Sequence, residues 1–424
     1  MCFQKRYWKI KRISYIIARG RLFLQNEKKD HRPMNDKKWI SMWGNAVSIA
    51  DHRPESYAKD LTLRYPLYAP FDGKALRFTF DNYCGSEPIT IARATVAIAT
   101  DDVTEKISLS CPVDITRLCE ITFKDCSSVS IPAHGRIISD EIIFDVPKGV
   151  TLCVSIYFSD FTLMQSAVHI TGPLSKGYFS FGDMTRMAEL PPETTKKTNW
   201  FYFLSNVDIL TERDCHAIIC YGDSITAQAW PDYLTLRLKE NQLTRTSVIR
   251  RAASGTRILR EYSCITYDSY GLKGSHRFSH EIPTAGADTV IIQQGINDII
   301  HPVGTKINQF RPMSDLPTAD ELIDGLKKYI DEAHQLHLSV YLGTLLPIFG
   351  WRTYAQFREE LKNSVNEWIR SSSEADGFID FDLALRDFNH PAAFRDGYDS
   401  GDHLHPSDEA YRQMAQTIPD CLLF

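Results

Sequence analysis

His216-Ala217-Ile218-Ile219-Cys220-Tyr221-Gly222-Asp223-Ser224-Ile225-Thr226 is the stretch that decides how this chain is read. An apolar run without alternation, stopped by a glycine, reads as a strand buried on both faces, the kind a parallel sheet requires. In parallel α/β sheets the active site lies beyond the carboxyl ends of the strands. Ser224 follows such an end, so it is expected at the catalytic rim. A helix opening there would turn its backbone N–H groups and dipole toward negative charge near the hydroxyl. A serine hydroxyl is nevertheless a poor nucleophile until a base activates it. Taken alone, the segment reads equally well as Asp223 and Ser224 capping a helix.

Downstream, strand-like and helix-like runs alternate. Residues 247–251, 289–294, 338–344 and 377–381 read as strands, and 231–240, 319–334, 354–371 and 407–415 as helices. That alternation predicts a parallel sheet covered by helices on both faces. Two more segments sit where the chemistry of a strand-end serine needs them. Gly295-Ile296-Asn297-Asp298 follows the run 289–294, and the Asn297 amide can donate a hydrogen bond to an oxyanion. A plain Gly-Asn turn is the alternative. Asp402-His403-Leu404-His405-Pro406 precedes the last helix. A carboxylate three residues before a histidine can orient its ring and stabilise the imidazolium. This spacing, with Pro406 following, favours His405 over His403 as the base. A histidine-rich surface loop or a metal site competes for the same residues, but further ligands at metal-site spacing are not evident. Asp223 and Asp298 are expected to hold loops by hydrogen bonds and not to act as acid or base.

Each segment is weak alone, and their joint order is specific. Gly222-Asp223-Ser224-Ile225, Ser254-Gly255-Thr256, Gly295-Ile296-Asn297-Asp298 and Asp402–Pro406 resemble the nucleophile, glycine, asparagine and Asp-x-x-His-Pro blocks of the SGNH hydrolases, also called the GDSL lipase/esterase family. His403 stands where that family more usually has glycine. The resemblance implies a flavodoxin-like three-layer domain, with Ser224 as nucleophile, His405 as general base and Asp402 orienting His405. It further implies an oxyanion hole made of the Ser224 and Gly255 N–H groups and the Asn297 side chain. Trp230-Pro231-Asp232-Tyr233-Leu234, Thr344-Leu345-Leu346-Pro347 and Ile379-Asp380-Phe381-Asp382 resemble the same subgroup. The GxSxG elbow of the α/β-hydrolases is absent from the sequence, which favours the smaller sheet.

Upstream the pattern differs. Short β-rich runs at 76–80, 89–99, 106–110, 119–123, 138–146, 151–158 and 200–204 are separated by turn clusters such as Asp72-Gly73 and Pro147-Lys148-Gly149. Such spacing predicts an all-β sandwich of jelly-roll type. Leu76-Arg77-Phe78 and Ser139-Asp140 resemble the N-terminal region of two-domain bacterial members of the same family. The expected organisation is a basic leader over 1–38, a sandwich over 39–205 and a catalytic domain over 206–424, since 424 residues exceed one ordinary core.

Composition narrows the function classes. A net charge of -5 lacks the positive field that nucleic-acid binding needs, so no nucleic-acid partner is expected. The ten cysteines are scattered with no CxxC pair, so zinc-site spacing is absent; their count allows a disulfide framework, but a chain of this size folds without staples. Cys215 and Cys220 read as core thiols, and the usage points to a reducing compartment. Residues 1–33 carry ten Lys or Arg against two acidic residues, and the run 13–18 (ISYIIA) is too short for an export signal. The reading is a mobile leader, with Met34 a possible alternative start, a cytoplasmic default with secretion open, and no stable membrane insertion.

The function expected is a serine esterase acting on a small-molecule or oligosaccharide ester, without cofactor or metal. A carbohydrate O-acetyl group is the first choice, because a sandwich companion is present and no long apolar lid is evident. A lipase or lysophospholipase is the alternative, and a non-catalytic carbohydrate-binding protein the third reading. Trp39 and Trp43 are expected at a domain interface in preference to a sugar platform.

Overall fold

The computed structural model describes residues 37–49, 57–261, 263, 270–303 and 310–423. Residues 1–36 of the basic leader, with the run 13–18 and Met34, and Cys264 lie outside the described residues, while Lys37 and Lys38, counted with the leader, open the strand Lys37–Gly44. From Lys37 onward the chain forms one compact unit.

Every residue of strand His216–Gly222 is buried, as its unbroken apolar character requires. It lies inside a five-stranded parallel sheet of order Thr246–Ala252, His216–Gly222, Ala287–Gln293, Ser339–Gly343, Gly377–Ile379. This is the flavodoxin-like order, which reverses direction beside the first strand, and ligands bind at that reversal. Helices Trp230–Glu240, Ala319–Gln335, Gln356–Ser371 and Asp408–Thr417 flank the sheet. Ala319–Gln335 starts on a capping box in which Thr318 and Glu321 satisfy each other's backbone N–H groups. The helix Gly274–Glu281 occupies a crossover where the sequence pattern suggests no element.

The N-terminal region is all-β and antiparallel. A five-stranded sheet holds Lys37–Gly44, Leu204–Glu212, Gly73–Asp81, Arg136–Ile138 and Ile142–Val146. A six-stranded sheet runs Lys196–Thr198, Gly177–Phe181, Leu61–Tyr68, Thr151–Phe158, Arg93–Ile98, Cys119–Ile121. Leu63, Tyr65, Phe78, Phe80, Val154 and Ile156 fill the core of this sandwich. The strand expected at 106–110 is a correction. That segment is a loop, in which the Ser108 N–H donates to Asp101 at 2.8 Å and the Cys111 N–H to the Ser108 carbonyl at 3.1 Å. These local bonds use the groups a ladder would need. The run 200–204 is split at Phe203, whose φ of 60° breaks the extended backbone between Trp200–Tyr202 and Leu204–Glu212.

Between Leu204–Glu212 and His216–Gly222 the pairing changes from antiparallel to parallel. The two regions share one apolar cluster and are tied by polar contacts. Arg251, from the edge of the parallel sheet, donates to the carbonyls of Asn45 and Ser205 and to the Asn206 side chain. Ser247 Oγ donates to the Ser41 carbonyl at 2.6 Å, and the Ser41 N–H to the Ala285 carbonyl at 2.8 Å. Burying Arg251 would be costly without those partners, so the contacts fix how the sandwich sits on the sheet. Trp43 packs on Phe201 at 5.7 Å between ring centroids, and Arg77 lies over the Trp39 ring.

Candidate active site

Strand His216–Gly222 delivers Ser224 to the rim through a single turn of helix, Ser224–Ala227. The buried Asp223 caps that turn, its Oδ1 accepting the Ile225 N–H at 3.1 Å. Burial drives the Asp223 carboxyl up to about 7, and the Ile225 N–H and the charge of His405 offset this only in part. Of the two residues read as caps, Asp223 alone caps the turn, and the Ser224 hydroxyl takes no part in the capping.

The histidine reaches the same place from the far end of the chain. The loop before helix Asp408–Thr417 closes on itself, with an Asp399–Pro406 bridge and the Ser400 N–H donating to the His405 carbonyl. Buried Leu404 anchors it. His405 Nε2 lies 2.8 Å from Ser224 Oγ, and His405 Nδ1 lies 2.6 Å from Asp402 Oδ2. Asp402 Oδ1 also accepts the N–H groups of Leu404 and His405 at 3.0 and 2.8 Å. Burial alone would raise the Asp402 carboxyl, but the His405 ring and these N–H groups hold it well below the usual carboxylate range. With Asp402 ionised, Nδ1 of His405 carries the proton toward it and Nε2 faces the serine as acceptor.

His403 is placed differently. Its Nδ1 is 2.5 Å from Asp399 Oδ2, a partner not expected from the sequence, and its ring packs against Gly350. Its φ of 64° is left-handed, which explains why glycine is more usual there.

The remaining donors come from two neighbouring strand ends. Gly222 pairs with Ala252 on one side and Gln293 on the other, which aligns the three rims. Gly255 has φ 78°, and a Cβ there would lie 2.4 Å from the Tyr270 ring, so the position is built for glycine. Buried Asn297 donates one amide N–H to the Thr256 carbonyl at 3.1 Å and keeps a second N–H to donate. The N–H groups of Ser224 and Gly255 take no part in the hydrogen bonds among the described residues.

A polar layer under this rim was not anticipated. Arg277, fully buried on helix Gly274–Glu281, pairs with Glu281 and donates to Thr256 Oγ1 at 2.9 Å and to the Arg251 carbonyl at 3.1 Å. Gln294 donates to the same Thr256 hydroxyl at 3.0 Å. Asp298 holds the glycine loop from the other side, accepting the N–H groups of Ile258 and Leu259 at 2.8 and 3.0 Å. Burial raises the Asp298 carboxyl to about 6 despite these bonds. Asp298→Ala leaves both N–H groups without a partner, at about 2–4 kcal/mol in total. A raised native pKa means the stabilising contribution of Asp298 is full below the ordinary carboxylate range and fades as pH rises through about 6. Urea unfolding of wild type and Asp298→Ala should therefore show a stability gap that narrows from about pH 4 to about pH 7.

Trp230, Thr344, Asp380 and Asp382 have supporting positions. Trp230 Nε1 donates to Thr226 Oγ1 at 3.2 Å, and Thr344 Oγ1 bridges Asp380 Oδ1 and the Asp382 N–H at 3.1 and 2.8 Å. Among the described residues, no group of three or more His, Cys, Asp or Glu is arranged to hold a metal ion.

Residues 220–413 match the GDSL-like Lipase/Acylhydrolase family. Over that span the α/β half of the chain is similar to the family. Among solved structures, this chain is similar to a GDSL-like lipase from Bacteroides thetaiotaomicron, at 19% identity over 49% of this chain and 87% of the other, with a TM-score of 0.36. A lipase/acylhydrolase from Enterococcus faecalis matches at 22% identity over 48% of this chain and 93% of its own, TM-score 0.35. An acetylxylan esterase from Geobacillus stearothermophilus matches at 18% identity over 48% and 94%, TM-score 0.35. No curated protein matches the chain. Members of the matched family are generally hydrolases acting on esters.

Proposed function

We propose that the protein is a serine esterase that removes acetyl groups from the hydroxyls of a carbohydrate. The observation that carries the catalytic part is the pair of distances at His405, 2.8 Å to Ser224 Oγ and 2.6 Å to Asp402. In this reading His405 takes the Ser224 proton while Ser224 attacks the ester carbonyl. The oxyanion is met by the N–H groups of Ser224 and Gly255 and the Asn297 amide. His405 then protonates the departing alcohol, and water, activated by the same ring, releases the acid and restores the serine. Asp402 stays ionised throughout and fixes the ring.

The carbohydrate part rests on the polar character of the surroundings and on the sandwich beside the rim. A fatty-acyl substrate needs a long apolar trough, and the exposed Phe349, which packs on Tyr354 and His390, is the strongest observation for that second reading. Hydrolysis rates across p-nitrophenyl esters from acetate to decanoate, together with a panel of acetylated oligosaccharides, separate the two. The expected result is an acetate optimum and release of acetate from at least one saccharide. A rate rising with chain length would replace the carbohydrate reading with a lipase.

A further inference from the structure

A wall of the sandwich stands beside the rim and has no part in the chemistry above. Its three short strands, Trp200–Tyr202, Ser166–His169 and Ser48–Ile49, pair in that order. Ser48, His169 and Trp200 from this wall and Ala253 and Ser254 from the glycine block line one open groove. Gly271, at φ 98°, lets its loop approach Ser48 so closely that a Cβ would lie 2.5 Å from Ser48 Oγ, which fixes the wall against the catalytic half.

Register places this groove next to the nucleophile. Gly222 pairs with Ala252, and the Ala253 N–H donates to the Gly222 carbonyl at 3.2 Å. Ser224 and Ser254 thus stand two residues beyond the paired ends of neighbouring strands, and Ser254 immediately precedes Gly255. The lining combines an indole, an imidazole whose centroid is 5.3 Å from it, two serine hydroxyls and the apolar side chains of Ile49, Ala167, Val168 and Ala253. An aromatic face flanked by short hydroxyls suits a sugar ring, whose C–H face packs on the indole while its hydroxyls find hydrogen-bond partners.

We infer that this groove between sandwich and acylhydrolase domain is the subsite for the carbohydrate part of the ester, with Trp200 as its platform. The inference rests on the carbohydrate-esterase reading and gives the sandwich a role in choosing the substrate. The test compares wild type, Trp200→Ala, Trp200→Phe and His169→Ala on acetylated xylotetraose and on p-nitrophenyl acetate, which carries no sugar. Trp200→Ala is expected to raise KM for the saccharide at least tenfold, with kcat changed less than threefold and kcat/KM for p-nitrophenyl acetate within twofold. Trp200→Phe should restore most of the loss, and His169→Ala should raise the saccharide KM by about threefold to fivefold. Equal losses on both substrates, or no change on the saccharide, would overturn the subsite. If Trp200→Ala does not fold, Trp200→Phe and His169→Ala decide the question by the same comparison. Failure of wild type to deacetylate any saccharide while it hydrolyses p-nitrophenyl acetate would refute the proposed substrate class separately. Calorimetric titration with unesterified xylotetraose and cellotetraose then judges the groove alone: binding weakened at least tenfold by the Trp200 variants supports it, and no binding to wild type sinks it.

Discussion

Ser224→Ala is expected to lower kcat for p-nitrophenyl acetate by on the order of 10⁴–10⁶-fold while leaving the fold intact. The size follows from what the hydroxyl does: without it no acyl-enzyme forms, and the donors at the rim can stabilise only attack by water. The integrity of the fold follows from where the residue sits. Ser224 is half-buried and its turn is capped by Asp223, not by its own hydroxyl. Removing one oxygen that bonds only a ring at the surface of the site should change stability by no more than about 0.5 kcal/mol. Thermal unfolding of the variant should therefore match wild type within about 2 °C. Turnover equal to wild type would end the nucleophile assignment.

Asp402→Asn should cost on the order of 10³–10⁴-fold in kcat with KM little changed. The carboxylate accepts four hydrogen bonds from its own loop: the His405 ring N–H, the backbone N–H groups of Leu404 and His405, and the Ser400 hydroxyl. An amide offers one oxygen and one NH₂ group, so it cannot accept at both ends. If its oxygen keeps the backbone, its NH₂ meets Nδ1 and stabilises the wrong tautomer, with a proton on Nε2 facing Ser224. The variant also carries a stability signature. Because the native carboxyl titrates below its ordinary range, its contribution is present above that range and is lost as pH falls through the native value. Wild type should thus lose more stability than Asp402→Asn when acidified below about pH 4, read by thermal unfolding. An unchanged kcat in Asp402→Asn would show that His405 needs no carboxylate partner.

How much of this was legible in the sequence depended on how local the signal was. The strand before Gly222 announced itself, because a fully buried parallel strand leaves an unbroken apolar run. The Asp402-to-His405 spacing was equally readable, since both ends of that contact lie within one short loop. The Asp399 partner of His403 was within reach of the same logic, four residues upstream, but the left-handed backbone that folds the two together has no marker besides the missing glycine. Arg277 and Thr256 were not legible. Their role under the rim depends on a crossover helix whose residues, Gly-Ser-His-Arg-Phe-Ser-His-Glu, carry no strong periodic signature. The Trp200 wall was beyond reach for a deeper reason. It assembles from three strands spread between Ser48 and Tyr202, and the pairing order within a sandwich is set by packing over the whole domain. The strand expected at 106–110 failed because side chain-to-backbone bonds at Asp101 outcompeted a ladder there.

The central claim is that Ser224 is a nucleophile activated by His405, and active-site labelling with a fluorophosphonate reads it most directly. Wild-type protein should gain one phosphonyl adduct by intact mass, mapped to the peptide bearing Ser224, with labelling at least a hundredfold slower in His405→Ala. An unmodified Ser224 under conditions that label a control serine esterase, or labelling at the same rate without His405, would contradict it.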